Sequence, residues 1–483
     1  MTLRAPVVLI ALLAVSSGCA VGPSYEEPHL ATPPSFGELP GSAGESPLSA
    51  PSSAEADLTE WWRQFHDREL ERLVDRALRS NLDLLTAASR IRQAREQEII
   101  AGAALLPSVG SSVSGTRLHA NSNPLANGGS SPLALAIYSL AFDASWEVDL
   151  FGGTRRGIEA ARAGAEAAVW DMRDAEVSLT AEVANDYIQL RATQARIAIA
   201  QDAVRRQQDL LTLAQARAST GFVTELDVNQ QRAQLAATRA ELPALASERQ
   251  TLMHALAVLL AASPQALVQE LSPSAPVPGV PVSLPGGLPS DLLRRRPDVR
   301  AAERRLAAAT AEEGVAVAAL YPKFDLLGLA AFAGSSAGSL VSSKNFDALG
   351  LGFIDWPIFE GGKRRANIRA SEELRAQSYL AYRRSVLAAL QDTEDALVRY
   401  RDEQQRLVAL REEQAAADAS LDIAAARYRA GLVTFIDVLQ ASATDLNARD
   451  QVEQGVEGLA QDLVSLYKAL GGGWGAPRDP PLR

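Results

Sequence analysis

From Tyr138 to Leu150 the chain alternates without a break. Tyr138, Leu140, Phe142, Ala144, Trp146, Val148 and Leu150 take one parity, and Ser139, Ala141, Asp143, Ser145, Glu147 and Asp149 take the other. A period of two over such a length predicts a strand with an apolar face and a polar one, the latter carrying the carboxylates of Asp143, Glu147 and Asp149. A less regular counterpart puts Phe324, Leu326, Ala330 and Phe332 on one face after Lys323 and Asp325. Gly350–Ile358 and Ser108–Leu118 predict two weaker strands, and the stretches Asn121–Ser131 and Gly334–Lys344, rich in Gly, Ser and Asn, read as exposed loops. Elsewhere the pattern is helical. No Gly or Pro occurs from Ala165 to Thr220 or from Lys363 to Ala430, which predicts helices far longer than the mean of about 11 residues. Gly221 and Gly431 stop them, and return helices follow over Glu225–Leu260 and Phe435–Leu470. Two shorter helices, Leu82–Leu105 and Val299–Leu320, end at Pro107 and Pro322.

These elements are written twice. Gly221-Phe-Val-Thr224-Glu-Leu-Asp227-Val-Asn-Gln recurs as Gly431-Leu-Val433-Thr434-Phe-Ile-Asp437-Val-Leu-Gln440 at a spacing of 210, with Arg217 and Arg427 placed alike before the glycines. Gly152-Gly-Thr-Arg155-Arg156 recurs as Gly361-Gly-Lys-Arg364-Arg365 at 209, and Asn81–Pro107 matches Arg296–Pro322 at 215. Matches in one order with nearly constant spacing indicate duplication. The expected organisation is a first repeat over residues 57–263 (strand hairpin about 108–151, helical hairpin 153–262), a Pro-rich crossover over 264–297, a second repeat over 298–474 (strand hairpin about 322–359, helical hairpin 361–470) and a tail over 475–483.

The amino terminus reads as an address. A short apolar run, Val7–Val15, is too brief to span a bilayer of about 30 Å and leads through Ser16, Ser17 and Gly18 to Cys19, the sole cysteine. Residues 1–18 are therefore expected to be a lipoprotein signal peptide, with Cys19 the lipidated first residue of the mature chain and residues 19–56 an extended tether. The alternative is an ordinary secretory signal that contains a cysteine. One cysteine allows no intramolecular disulfide and no Cys/His zinc site, and four scattered histidines offer no multi-His metal centre. A net charge of −11 argues against a nucleic-acid partner.

An export address, no membrane-length apolar helix in the mature chain, and a strand with aromatic residues near both ends (Tyr138, Trp146) together point to a transmembrane β-barrel. A soluble sheet with one buried face would alternate similarly, but has no need of the aromatic ends. Four strands cannot close a barrel, since the smallest bacterial ones use about eight, so several chains must share one. Two, three or four chains each give an even number.

Four motifs add a specific likeness: Trp61-Trp62-x-x-Phe65-x-Asp67, Trp146-Glu-Val-Asp-Leu-Phe-Gly152, Leu293-Arg-Arg-Arg-Pro297-Asp298-Val-Arg300-x-Ala-Glu303, and Ala469-Leu-Gly-Gly-Gly-Trp474. With the repeated plan they resemble the TolC-type outer-membrane factors and, within these, the NodT-type lipoproteins of efflux systems, over nearly all of the mature chain. The resemblance implies an internally duplicated α+β membrane protein, whose long antiparallel helical hairpins form an α-barrel and whose four strands per chain join a shared trimeric β-barrel. It implies a homotrimer in the outer membrane, reaching into the periplasm, that works with a periplasmic adaptor and an inner-membrane pump of the RND class. The chain would be a passive exit channel for drugs or other small molecules, without catalysis or cofactor beyond the lipid on Cys19. Type I protein secretion uses the same kind of channel. A lipid-anchored coiled-coil tether, an alternative from another class, leaves the aromatic strand and the duplication without purpose. A hydrolase is disfavoured because no Gly-x-Ser-x-Gly elbow is present.

The same resemblance places the periplasmic gate and the adaptor surface at the hairpin tips: Gly221, Thr224 and Asp227 in the first copy, and Tyr428, Gly431, Val433, Thr434, Asp437 and Gln440 in the second. Tyr428 and Asp437 occupy gate-linking positions of the family. Val433 stands where a gate arginine is usual and Gln440 where a second gate aspartate is, so a partly apolar closure through Leu432, Val433 and Phe435 is expected. Asp227 and Asp437 also fit a capping role early in the return helices. Arg217 and Arg427 are expected as exposed adaptor contacts. Asp143, Glu147 and Asp149 would line the lumen, where solvation of a water-filled pore suits them better than selective ion binding. Arg155-Arg156 and Arg364-Arg365 would anchor near lipid head groups or pair with those carboxylates.

Overall fold

The structure is a computed structural model that describes residues 20–31, 33–37, 58–120, 133–281 and 295–475. Cys19, the loop 121–131 and the tail beyond residue 475 lie outside the described residues. Among the described residues seven helices of more than two turns occur: α1 Arg68–Ser80, α2 Leu82–Ala103, α3 Gly153–Ser219, α4 Glu225–Leu259, α5 Pro297–Ala318, α6 Lys363–Arg429 and α7 Phe435–Ala469. The return helices end within one residue of the positions expected. α3 and α6 each have 67 residues, about 100 Å of rise. No helix among the described residues is long and apolar enough to cross a membrane.

The chain resolves into two compact units, each drawing on both repeats. The first holds residues Ile91–Ala168 and Ala302–Tyr382 with the N-terminal segment, and contains the sheet. Strands β1 (Ser108–Ala120), β2 (Leu133–Val148), β3 (Lys323–Gly334) and β4 (Phe346–Asp355) pair antiparallel in the order β1-β2-β3-β4, so each repeat supplies one hairpin. β2 starts earlier than the alternation suggested and stops at Val148, before Asp149 and Leu150. β4 likewise starts upstream of the expected Gly350–Ile358, at Phe346, and ends at Asp355.

The register puts Leu140, Phe142, Ala144 and Trp146 of β2 beside Phe332, Ala330, Gly328 and Leu326 of β3, and these beside Phe346, Ala348, Gly350 and Gly352 of β4. The opposite face is polar along its length only in the first hairpin. In the second, Leu327 and Leu329 of β3 face the carboxylate side with Leu349, Leu351 and Phe353 of β4. The expected two-faced strand therefore describes β2, whereas the middle of β3 and β4 is apolar on both sides, with Lys323, Asp325, Asp347 and Asp355 confined to the ends of the second face. Every position of β4 is exposed.

Two tryptophans fix the helix–strand junctions in duplicate. Trp146 Nε1 donates to Leu105 O at 3.0 Å, and its repeat counterpart Trp356 donates to Leu320 O at 3.2 Å.

The second unit, residues Leu30–Arg90, Val169–Ala301 and Arg383 onward, has an aromatic core. A 3-10 turn at Trp61–Phe65 buries both tryptophans and Phe65. The Trp61 ring stacks on Tyr467 at 5.1 Å and meets Trp62 and Phe65 edge-on. Asp67 then caps α1, accepting from the Glu69 and Leu70 amides while Tyr187 Oη donates to its carboxylate at 3.0 Å. α1 buries Leu70, Leu73, Val74 and Ala77, one face at helical spacing. The closing glycine run completes this core: Gly473, at φ 102°, brings its amide to Leu58 O, and a Cβ there would meet Thr180 Oγ1 at 2.5 Å. The arginine motif is a staple. Arg296 binds Asp298 at 2.8 Å and Asp392 at 3.0 Å, and Arg295 O accepts from Trp474 Nε1.

Candidate functional site

The two hairpin tips, both within the second unit, are built alike. At the end of α3, Gly221 (φ 76°) donates to Ala218 O and Phe222 donates to Arg217 O. At the end of α6, Gly431 (φ 75°) donates to Tyr428 O and Leu432 to Arg427 O. This is a Schellman stop, and its left-handed residue is glycine because a Cβ would be strained there. Each return helix then opens with a carboxylate three residues beyond its N-cap. The Thr224 amide and hydroxyl donate to Asp227 Oδ2 at 2.8 Å each. The Thr434 amide and hydroxyl donate to Asp437 Oδ2 at 2.9 and 2.6 Å. The capping role is thus occupied in both copies. Removing either carboxylate (Asp227→Ala or Asp437→Ala) is expected to cost its tip about 1 kcal/mol. Amide exchange should quicken in the first turn of α4 or α7 and stay unchanged around Trp61.

Between the tips lies a small apolar cluster: Leu211, Ala214, Val228 and Leu235 from the first hairpin with Tyr428, Phe435 and Val438 from the second. Tyr428 is only 3% exposed, its ring 5.3 Å from that of Phe435. Arg217 covers it, with the guanidinium 4.4 Å from the ring centroid and bonds to Tyr428 O at 2.9 Å and Arg429 O at 3.0 Å. Two expectations are corrected. Arg217 is a latch within the chain rather than an exposed contact, and Phe435 is buried and unavailable to an apolar closure. Gly431, Leu432, Thr434, Asp437 and Gln440 are exposed, as are Phe222 and Leu226 of the first tip, while Val433 is half-buried.

Above the tips a charged network escaped sequence reasoning. Asp445, fully buried, lies between Arg206 at 3.3 Å and Arg449 at 2.9 Å, and Arg449 also binds Asp418. Its repeat counterpart is Leu235, a core residue of the tip cluster; an acid in an apolar register was the available signal. Farther along, Arg196 binds Asp450 at 2.6 Å. Desolvation, outweighing nearby Arg196 and aided by Glu248 and Asp450, pushes the Glu457 carboxyl up to about 7. Burial likewise raises Asp186, beside Glu182, and Asp462 to about 6 each. A carboxyl whose folded pKa is raised holds its proton more tightly when folded, so its stability contribution is full below the unfolded pKa near 4 and is lost as pH rises through 6–7. The melting temperature should therefore fall between pH 5 and pH 8, and Glu457→Gln should lessen that fall, as read by circular dichroism.

On the sheet, the three carboxylates part company. Asp143 is exposed, opposite Gly110 of β1. Glu147 pairs with Lys323 of the neighbouring strand at 2.9 Å. Asp149 is not on the polar face at all: it sits past the strand end, where Oδ2 accepts from the Arg155 amide at 2.9 Å and side chain at 3.2 Å. Arg364 instead binds Glu360 at 2.5 Å. Among the described residues no group of three metal-ligating side chains occurs.

The sequence matches the family described as outer membrane efflux protein over residues 73–262 and 288–472. It is 34% identical to the pyoverdine export outer membrane protein OpmQ of Pseudomonas putida, over 94% of this chain and 95% of that protein. It is 31% identical to nodulation protein T of Rhizobium leguminosarum bv. viciae, over 96% of this chain and 92% of that protein. The structure superposes on the outer-membrane channel OprN with a TM-score of 0.87 and 35% identity, over 94% of this chain and all of that one.

Proposed function

The chain belongs to the outer membrane efflux protein family and is a TolC-like outer-membrane efflux channel subunit, and from that premise we propose that three copies close one twelve-strand barrel and one helical tunnel. The observation that carries the shared barrel is the open sheet. β1 and β4 each pair on one side only, and an unpaired edge in hydrocarbon costs several kcal/mol per backbone group. Pairing β4 of one copy with β1 of the next removes every edge, and three copies is the number the family implies. The face of Leu140, Phe142 and Trp146 then meets lipid. The face of Asp143 and Glu147 meets water, the two carboxylates solvating the pore.

In the same reading residues 1–18 are removed, Cys19 carries the lipid that tethers the subunit to the outer membrane, and the two repeats keep the boundaries given by the duplication. The tips close the periplasmic end and receive the adaptor. Gly221, Thr224, Asp227, Tyr428, Gly431, Val433, Thr434, Asp437 and Gln440 shape that end: the glycines and caps set its backbone, Tyr428 holds the two hairpins together, and Leu432 and Val433 supply apolar closure. An RND-type pump in the inner membrane supplies the energy, and small molecules leave passively. The relative OpmQ is a pyoverdine export outer membrane protein, which supports outward transport. No cofactor is required.

The test is the protein mass of the particle extracted in mild detergent from outer-membrane fractions. About three times the 51.3 kDa chain is expected. A folded monomer would mean that the sheet does not span lipid and would overturn the shared barrel.

A further inference from the structure

Where the first strand hairpin meets the second, an aromatic contact closes the join. Phe151, three residues past the end of β2, stacks on Tyr321 at 4.6 Å and reaches Phe324 at 6.5 Å. Val148 stands beside Phe324 in the ladder. Shifts of 210 and 215 residues carry Val148 to Ile358, Tyr321 to Leu106 and Phe324 to Val109. The stretch between tryptophan and glycine pair is one residue shorter in the second repeat, and its aromatic residue is Phe359. Trp146 and Trp356 make the same bond in the two repeats, so the flanking backbone is set alike. Yet Ile358 is 95% exposed, Phe359 89%, Leu106 69% and Val109 74%. The first two follow β4 and the others flank the start of β1, the two open edges of the sheet. The first join is also roofed. Val21 donates to Phe151 O, and a Cβ on Gly152 would meet Ala20 at 2.6 Å. At Gly361, the counterpart of Gly152, a Cβ would meet nothing within 4 Å, so the second join has room for a neighbour.

We propose that Ile358 and Phe359 of one copy pack on Val109 and Leu106 of the next, as Val148 and Phe151 pack on Phe324 and Tyr321 within the chain. The inference rests on the ring of copies proposed above and adds a register to it. The β2–β3 pairing, shifted by one repeat, sets Asp355 opposite Ser112 of the next copy and Phe353 opposite Ser114. Alternation alone does not fix that register, because the middle of β4 is apolar on both faces and tolerates a slip of one residue. Backbone hydrogen bonds form equally well in either register. The hook at the strand end decides between them, since a slip would pull Phe359 off Leu106 and leave both in water. An exposed apolar cluster of this kind marks a contact surface, and the solved copy of the same join within the chain names its occupant as a second copy.

Cross-linking of the full-length protein in outer-membrane fractions tests the contact. Phe359→Cys combined with Leu106→Cys, treated with a short bis-maleimide, should give covalent dimers and trimers on denaturing gels. Each substitution alone, still carrying Cys19, should give none. Phe151→Cys with Tyr321→Cys should close within one chain, as read by mass spectrometry, and so calibrates the reach of the reagent. Phe359→Ser should favour dissociation about ten- to hundredfold per join, the value of burying one such side chain, and Phe359→Leu should lose much less. A monomeric wild type would refute the ring itself. A trimeric protein whose 359–106 pair gives no interchain product, while the 151–321 pair closes, would overturn the contact and leave the ring standing. So would a Phe359→Ser trimer as stable as the wild type. Quenching by brominated lipid of a bimane attached at Phe359→Cys would assign the patch to the bilayer and overturn it too.

Discussion

Trp61→Ala is expected to cost the helical unit about 3–5 kcal/mol, a large part of the roughly 5–15 kcal/mol that keeps a domain folded. Trp61 is fully buried, stacks on Tyr467, and touches Trp62 and Phe65 edge-on. It therefore joins the segment before α1 to the far end of α7, so a cavity there loosens both. Its indole Nε1 has no hydrogen-bond partner among the described residues, so the cost is one of packing and shape. Trp61→Phe keeps a ring against Tyr467 and should lose markedly less than the alanine variant. Thermal unfolding of the purified protein and its level in outer-membrane fractions are the measurements. An alanine variant within about 1 kcal/mol of wild type would show that α1 and its turn are an accessory to the core rather than part of it.

The second large effect is a contrast between neighbours on β2. Phe142 and Asp143 are adjacent in sequence and point to opposite faces. Placing arginine on a lipid-facing barrel position costs about 2–4 kcal/mol at mid-membrane, and three copies would bear it at once. Phe142→Arg is accordingly expected to abolish assembled trimer in the outer membrane. Asp143→Arg should assemble normally and shift the channel toward anions, because a water-filled lumen accommodates either charge. Trimer yield and ion selectivity in planar bilayers read the two outcomes. Assembly of Phe142→Arg together with failure of Asp143→Arg would mean that the sheet faces are reversed with respect to lipid.

The difference between these sites shows where the sequence was informative. Gly221 and Gly431 end their helices as expected, since a left-handed stop is a local backbone requirement that few other residues meet. The return helices and the duplication were legible for the same reason, as was the alternation of β2. The end of β2 was not. Asp149 continues the alternation in sequence, yet the chain turns there because its carboxylate holds the Arg155 amide and side chain. Nor was the second apolar face of β3 and β4, which emerges only when the register sets Leu327 and Leu329 beside Leu351 and Leu349.

Tyr428, Phe435 and Arg217 make the same point at the tips. The family resemblance placed them at a gate and docking surface; packing against partners about 210 residues away buried Tyr428 and Phe435 and laid Arg217 over the Tyr428 ring. Asp445 is legible only as an oddity until Arg206 and Arg449 are seen on either side of it. By itself the sequence determined the repeat, the helix stops and the face of one strand, because each depends on residues close along the chain. Tertiary structure decided which of those faces is covered, which charge is neutralised and which tip residue stays exposed, because burial depends on neighbours that only long-range packing brings together.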